Sequence, residues 1–261
     1  MTEPALTRLD VEPSGLAVLT IAAGPLNLYT AELHDAFDAA LDRLPADTRA
    51  LLLQAEGRVV SAGVDVNLFA AQQTPEQAKV LFDRMLELPR RIADLPVPTV
   101  FAAHALCLTW AFEVAVACDL IVAAERASFG LVEKVVGLTP TMGGTQRLAA
   151  RAGVGRAKEF VMTGDRYPAS VLHQWGVVNQ VLPNEGFDAA ARDFAAGLAA
   201  GPTRAHAATK RVLDHFGDGG VEAADRAVTS IAADLYRTED LRNAVRSFLA
   251  DGPGRATFTG R

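Results

Sequence analysis

Two isolated carboxylates are the groups most suited to acid–base chemistry. Between His104 and Asp119 the one charged residue is Glu113, set in Thr109-Trp110-Ala111-Phe112-Glu113-Val114-Ala115-Val116-Ala117-Cys118. A helix of that composition is buried on most faces. Burying a carboxylate raises its pKa or calls for a partner. A raised pKa would suit proton transfer near neutrality, whereas an arginine partner elsewhere would make Glu113 structural. Glu133 lies in the apolar stretch Ser128-Phe129-Gly130-Leu131-Val132-Glu133-Lys134-Val135-Val136, where Lys134 equally suits a solvated turn. A third segment, Val60-Ser61-Ala62-Gly63-Val64-Asp65, puts small residues and a glycine after an extended run. Such a turn lets backbone N–H groups approach a ligand, although an ordinary strand-to-helix turn has the same composition.

The surrounding pattern supplies the elements that must hold these groups. Ala17–Ile21 and Ala50–Gln54 are apolar runs that read as strands, Val59-Val60 as extended, and 96–101 and 120–123 as two more strands. Thr30 caps a helix over 31–44, and Thr74-Pro75-Glu76 opens one over 74–94. A helix is expected over 110–118. Gly143-Gly144-Thr145 marks a loop entering another helix, with Thr145 as its cap. Strand and helix alternate as far as residue 123, which predicts an α/β domain. From Gly143 onward the pattern is helical except for 176–181. The chain therefore divides into a core over 1–195 and a helical tail over 196–261.

Composition narrows the function. The 261 residues are half hydrophobic and carry a formal net charge of −6, with no block of lysine or arginine. That weighs against nucleic acid as the partner, because phosphate binding needs concentrated positive charge. The start Met1-Thr2-Glu3-Pro4 lacks the basic residues and apolar run of a signal peptide, and apolar stretches such as 111–117 are too short to span a bilayer. Cys107 and Cys118 form no CxxC pair and read as buried thiols in a reducing compartment. The expectation is a cytoplasmic protein without metal or membrane contact.

Taken together, the three segments resemble the enoyl-CoA hydratase/isomerase (crotonase) family. Its alanine-glycine-x-aspartate turn is matched by Ala62-Gly63-Val64-Asp65, and its glutamate-bearing helix ending in cysteine-aspartate by Glu113 to Cys118-Asp119. Its phenylalanine-glycine-x-x-glutamate segment is matched by Phe129 to Glu133, and its glycine-glycine-threonine-glutamine-arginine-leucine signature by Gly143 to Leu148. Pro25-Leu26-Asn27, Thr163-Gly164 and Gly176-Val177-Val178 also agree, so the likeness runs along nearly the whole chain.

The resemblance implies a spiral of strand-strand-helix turns with a helical C-terminal region used for trimers or pairs of trimers. It implies an acyl-CoA thioester as substrate, with coenzyme A part of that substrate rather than a cofactor. It implies an oxyanion hole, with the N–H groups of Ala62 and Trp110 as donors, and a substrate surface of Leu26, Val60, Ala62, Gly63, Val64 and Asp65. Glu113 and Glu133 would hold and activate water for hydration of a 2-enoyl-CoA. Double-bond isomerisation and non-catalytic acyl-CoA binding are the alternatives. The chain departs from the family at Thr109-Trp110-Ala111, where glycines are usual. Trp110 could turn into the core, reshape the acyl pocket or impair the hole.

Overall fold

The computed structural model describes residues 5–261, so the expectation drawn from Met1–Pro4 lies outside the described residues. In chain order the elements are β1 (Thr7–Val11), β2 (Leu16–Ile21), α1 (Ala31–Asp42), β3 (Ala50–Ala55), α2 (Asn67–Ala70), α3 (Pro75–Ala93), β4 (Thr99–Ala103), β5 (Leu106–Leu108) and α4 (Trp110–Ala115). There follow β6 (Leu120–Ala124), β7 (Ser128–Gly130), a 3-10 turn at Glu133–Val136, α5 (Gly144–Ala152), α6 (Val154–Thr163), β8 (Tyr167–Pro168), α7 (Ala169–Gln174) and β9 (Gln180–Leu182). The chain ends with α8 (Phe187–Ala199), α9 (Thr203–Asp234) and α10 (Glu239–Asp251).

One sheet has the order β1-β2-β3-β4-β6-β9, parallel throughout except for the antiparallel edge strand β1. A second sheet has the order β5-β7-β8. Two isolated bridges, Tyr29 to Val64 and Ser61 to Cys107, extend that second layer. Successive turns of the chain thus place one extended segment in each layer before a helix returns it, which is the strand-strand-helix spiral expected from the sequence.

Both faces of the main sheet are covered. Ala17, Leu19 and Ile21 of β2 enter a core shared with α1, α3 and α4, while Leu16 and Val18 meet Phe187, Ala191 and Ala195 of α8. Strands buried on two faces are apolar at nearly every position, which is why β2, β3 and β6 stand out in the sequence. Each fully buried leucine-sized side chain contributes about 1.5–3 kcal/mol.

Several boundaries move. The strand expected over 96–101 is Thr99–Ala103, the helix expected to 118 ends at Ala115, and of the non-helical segment at 176–181 only Gln180 and Val181 join a strand, Gln180–Leu182. The division at 195 falls inside α8, whose buried face continues to Ala199 on the sheet, so the helical tail starts at α9. Both cysteines are buried free thiols. Among the described residues no helix is long and apolar enough to cross a membrane.

Candidate active site

Glu113 sits on α4, whose six residues are all buried. Its Oε2 accepts two backbone hydrogen bonds, from Met142 N–H at 2.9 Å and from Gly144 N–H at 2.8 Å. These donors belong to the entry of α5, where unpaired N–H groups and the helix dipole favour a carboxylate. Gly144 is required by the fit, because a Cβ there would lie 2.7 Å from Glu113 Cγ. The glycine pair therefore seats a carboxylate. Thr145 is not the cap expected from the sequence: the N-cap is Gly143, which has no side chain to accept, and Thr145 lies within α5.

Glu133 opens the 3-10 turn that follows β7, and its Oε2 is buried without a partner. Lys134, beside it, makes no ion pair with it, so the solvated-turn reading fails for the carboxyl itself. Burial pushes Glu113 up to about 8, helped by repulsion from Glu133 and opposed by the two backbone donors and by Arg147. Burial likewise pushes Glu133 up to about 7. The structure thus brings the two carboxyls together, and near neutrality the pair holds about one proton.

The glycine turn lies alongside. Asn27 organises it from the core: its Oδ1 accepts from Ala23 N–H at 2.8 Å, and its Nδ2 donates to the carbonyls of Glu56 at 2.9 Å and Val59 at 3.2 Å. Tyr29 then pairs with the turn, donating to Gly63 O and accepting from Asp65 N–H, both at 3.0 Å. In a parallel bridge of this kind the middle residue points its own N–H the other way. Val64 is that residue, and its N–H is unpaired among the described residues. The Trp110 N–H, first in α4, is also unpaired, as helix geometry dictates. Gly63 lies directly against Thr109, where a Cβ would come 3.3 Å from Thr109 Oγ1. Each of these two residues immediately precedes one of the free donors.

At two residues the structure differs from the sequence expectation. The Ala62 N–H donates to the Leu26 carbonyl at 2.9 Å and is not available to a ligand; the free donor of that turn is Val64. Val60 is fully buried in the core and its N–H donates to Leu106 O at 2.9 Å, so it supports the turn rather than lining it. Leu26 is half exposed, and Asp65 uses its Oδ1 to hold Asn67 N–H and Nδ2.

The Trp110 indole turns into the core, where it has no exposed surface. Its Nε1–H donates to Ser61 Oγ at 2.7 Å and lies 3.2 Å from Asn27 O. Thr109 keeps a glycine-like φ of 49°, an uncommon state for a β-branched residue. Sequence reasoning missed Ser61, Val64 as donor and the Thr109 backbone. Val64 has no chemical signature, since any residue type supplies an N–H.

Fold and site together describe an α/β spiral holding a proton-sharing pair of carboxyls beside two free backbone donors. The enoyl-CoA hydratase/isomerase family model matches residues 12–253, and the chain belongs to that family, whose members act on acyl-CoA thioesters. A probable enoyl-CoA hydratase of Rhodobacter capsulatus is 30% identical over 95% of each chain. One of Bacillus subtilis is 32% identical over 63% of this chain and 64% of its own length. The crystal structure of an enoyl-CoA hydratase from Geobacillus kaustophilus HTA426 superposes with a TM-score of 0.91 at 25% identity, over 100% of this chain and 98% of that one.

Proposed function

We propose that this protein hydrates a 2-enoyl-CoA reversibly to a 3-hydroxyacyl-CoA. The observation that carries the reading is a pair of carboxyls, Glu113 held by two backbone donors and Glu133 with its Oε2 buried and unpartnered, beside two unpaired backbone N–H groups. The Val64 and Trp110 N–H groups bind the thioester oxygen and stabilise the negative charge that develops there as water adds. Fixed dipoles in a dry site suit this role.

Glu113 takes the water proton as oxygen bonds to the β-carbon, and Glu133 delivers a proton to the α-carbon. This assignment follows the hydrogen bonds. Glu113 Oε2 is occupied by two donors, which favour its ionised form and leave Oε1 for water. Glu133 Oε2 has no donor and can carry the proton. With Glu113 at about 8 and Glu133 at about 7, the form ionised at Glu113 and protonated at Glu133 is the minor of the two singly protonated forms, and it is the one that reacts. After the addition the two carboxyls have exchanged protonation states, and one proton transfer resets them.

Coenzyme A enters as part of the substrate, and no separate cofactor takes part. The exposed half of Leu26 and the Gly63–Asp65 turn form the side from which it approaches. The helical tail assembles trimers. Leu213, Phe216, Val245 and Phe248 are all more than half or about half exposed there, a surface that a monomer leaves uncovered. Turnover against enoyl-CoAs of graded chain length, read as loss of the conjugated thioester absorbance, tests the reaction. Formation of 3-hydroxyacyl-CoA supports it, and migration of a 3-enoyl double bond without hydration would replace it with isomerisation.

A further inference from the structure

We propose that Ser61 and the Trp110 indole are positioning residues that lock the two carbonyl-binding N–H groups into one rigid unit. The inference rests on Val64 and Trp110 being those donors, and it deepens that reading. The two donors come from separate parts of the chain, one from the turn after Val60 and one from the start of α4. A pair of donors binds an oxygen well only if their spacing is fixed before the charge develops. A six-residue helix preceded by a threonine at positive φ is a weak anchor by itself.

The Ser61 hydroxyl makes the connection. It donates to Asn27 O at 2.8 Å, accepts from Gly63 N–H at 3.0 Å and accepts from Trp110 Nε1–H at 2.7 Å. A hydroxyl has one proton and two lone pairs, so this one is fully used. The Gly63 bond holds the Ala62–Gly63 peptide, the one immediately before the peptide that carries the Val64 N–H. The Trp110 bond holds the side chain of the residue that supplies the other donor. All three partners are buried, where such bonds are strong and a missing partner is costly. The backbone joins the same segments through Leu108 N–H to Ser61 O at 3.1 Å. The large residue at position 110 therefore occupies no acyl space and instead braces the site.

Ser61→Ala, Trp110→Phe and the double variant test this, with kcat, KM, thermal stability and the thioester carbonyl stretch of a bound saturated acyl-CoA as readouts. Each single variant should lower kcat about tenfold, the scale of a small misplacement of a binding group. KM should stay within about twofold, because the loss falls on the transition state. The bound carbonyl band should move back toward its position in free substrate. The double variant should fall no further than the worse single one, because both remove the same link. A folded Ser61→Ala protein with parental kcat and an unshifted band overturns the brace, even if it melts earlier. Independent, multiplying losses overturn it as well. A parent protein that binds acyl-CoA without perturbing the carbonyl band overturns the donor assignment itself, and the brace with it.

Discussion

Gly144 and Glu113 are packed so closely that a single methyl group on the glycine would lie 2.7 Å from Glu113 Cγ. The same glycine donates its N–H to Glu113 Oε2 at 2.8 Å. A signature that looks like a helix entrance is thus a seat for a carboxyl. Gly144→Ala should keep the fold, since Gly144 has ordinary helical backbone, but push Glu113 out of line. We expect hydration to drop at least about tenfold, given how steeply rate depends on sub-ångström placement, with a lowered melting temperature from an overpacking cost of about 1–3 kcal/mol. Unchanged kcat in this variant would remove the seat as a requirement.

The pH dependence follows from the shared proton. The proposed hydration needs one carboxyl charged and one neutral. Glu133 is held at about 7 and Glu113 at about 8, chiefly by burial. Activity should peak between those values, fall at lower pH as both become neutral, and fall at higher pH as both ionise. Stability moves with a definite sign. The folded pKa values lie above those of an unfolded glutamate, so the folded state binds more protons, and stability falls as pH rises toward 8. Glu113→Gln should therefore gain in melting temperature relative to the parent as the pH is raised from about 5 to about 9. A difference that is constant across that range would contradict the raised pKa.

Much of the fold is legible in the sequence because β2, β3, β4 and β6 are buried on both faces and spell continuous apolar runs. Strand β1 is not, because Arg8 and Asp10 put charges on an exposed edge. Glu113 and Glu133 are legible because a lone carboxyl in apolar company demands an explanation. The donor at Val64 is hidden, since only the bridge between Tyr29 and Val64 decides which N–H of the turn is free. The orientation of Trp110 is hidden for a related reason: the acceptors Ser61 and Asn27 are 49 and 83 residues away in sequence.

Trp110→Gly separates packing from selectivity. The indole is fully buried and hydrogen-bonded. Its removal leaves a cavity and an unpaired Ser61, costing roughly 3–5 kcal/mol. Short and long enoyl-CoAs should lose activity in the same proportion. A changed ratio, with longer or bulkier substrates favoured, would mean that the ring borders the acyl pocket after all.

Assembly is tested by sedimentation. Ile231 is buried within the tail, but Leu213, Phe216, Val245, Phe248 and Leu249 are exposed along α9 and α10. Apolar surface of that extent is stable in water when covered by symmetric partners. Trimers or hexamers are expected at micromolar concentration, and a charge introduced by Phe248→Glu should weaken them. A parent protein that sediments as a monomer would exclude the proposal.

The proposed hydration rests on Glu113 and Glu133 acting together on water and the double bond of an enoyl thioester. The most direct measurement is the hydration rate of Glu113→Gln and Glu133→Gln beside the parent, with folding checked by melting. Glutamine keeps the shape of both side chains but cannot exchange the proton. Each variant should fold and lose at least about a hundredfold in kcat, the usual scale of acid–base catalysis. Near-parental turnover in either folded variant would contradict it.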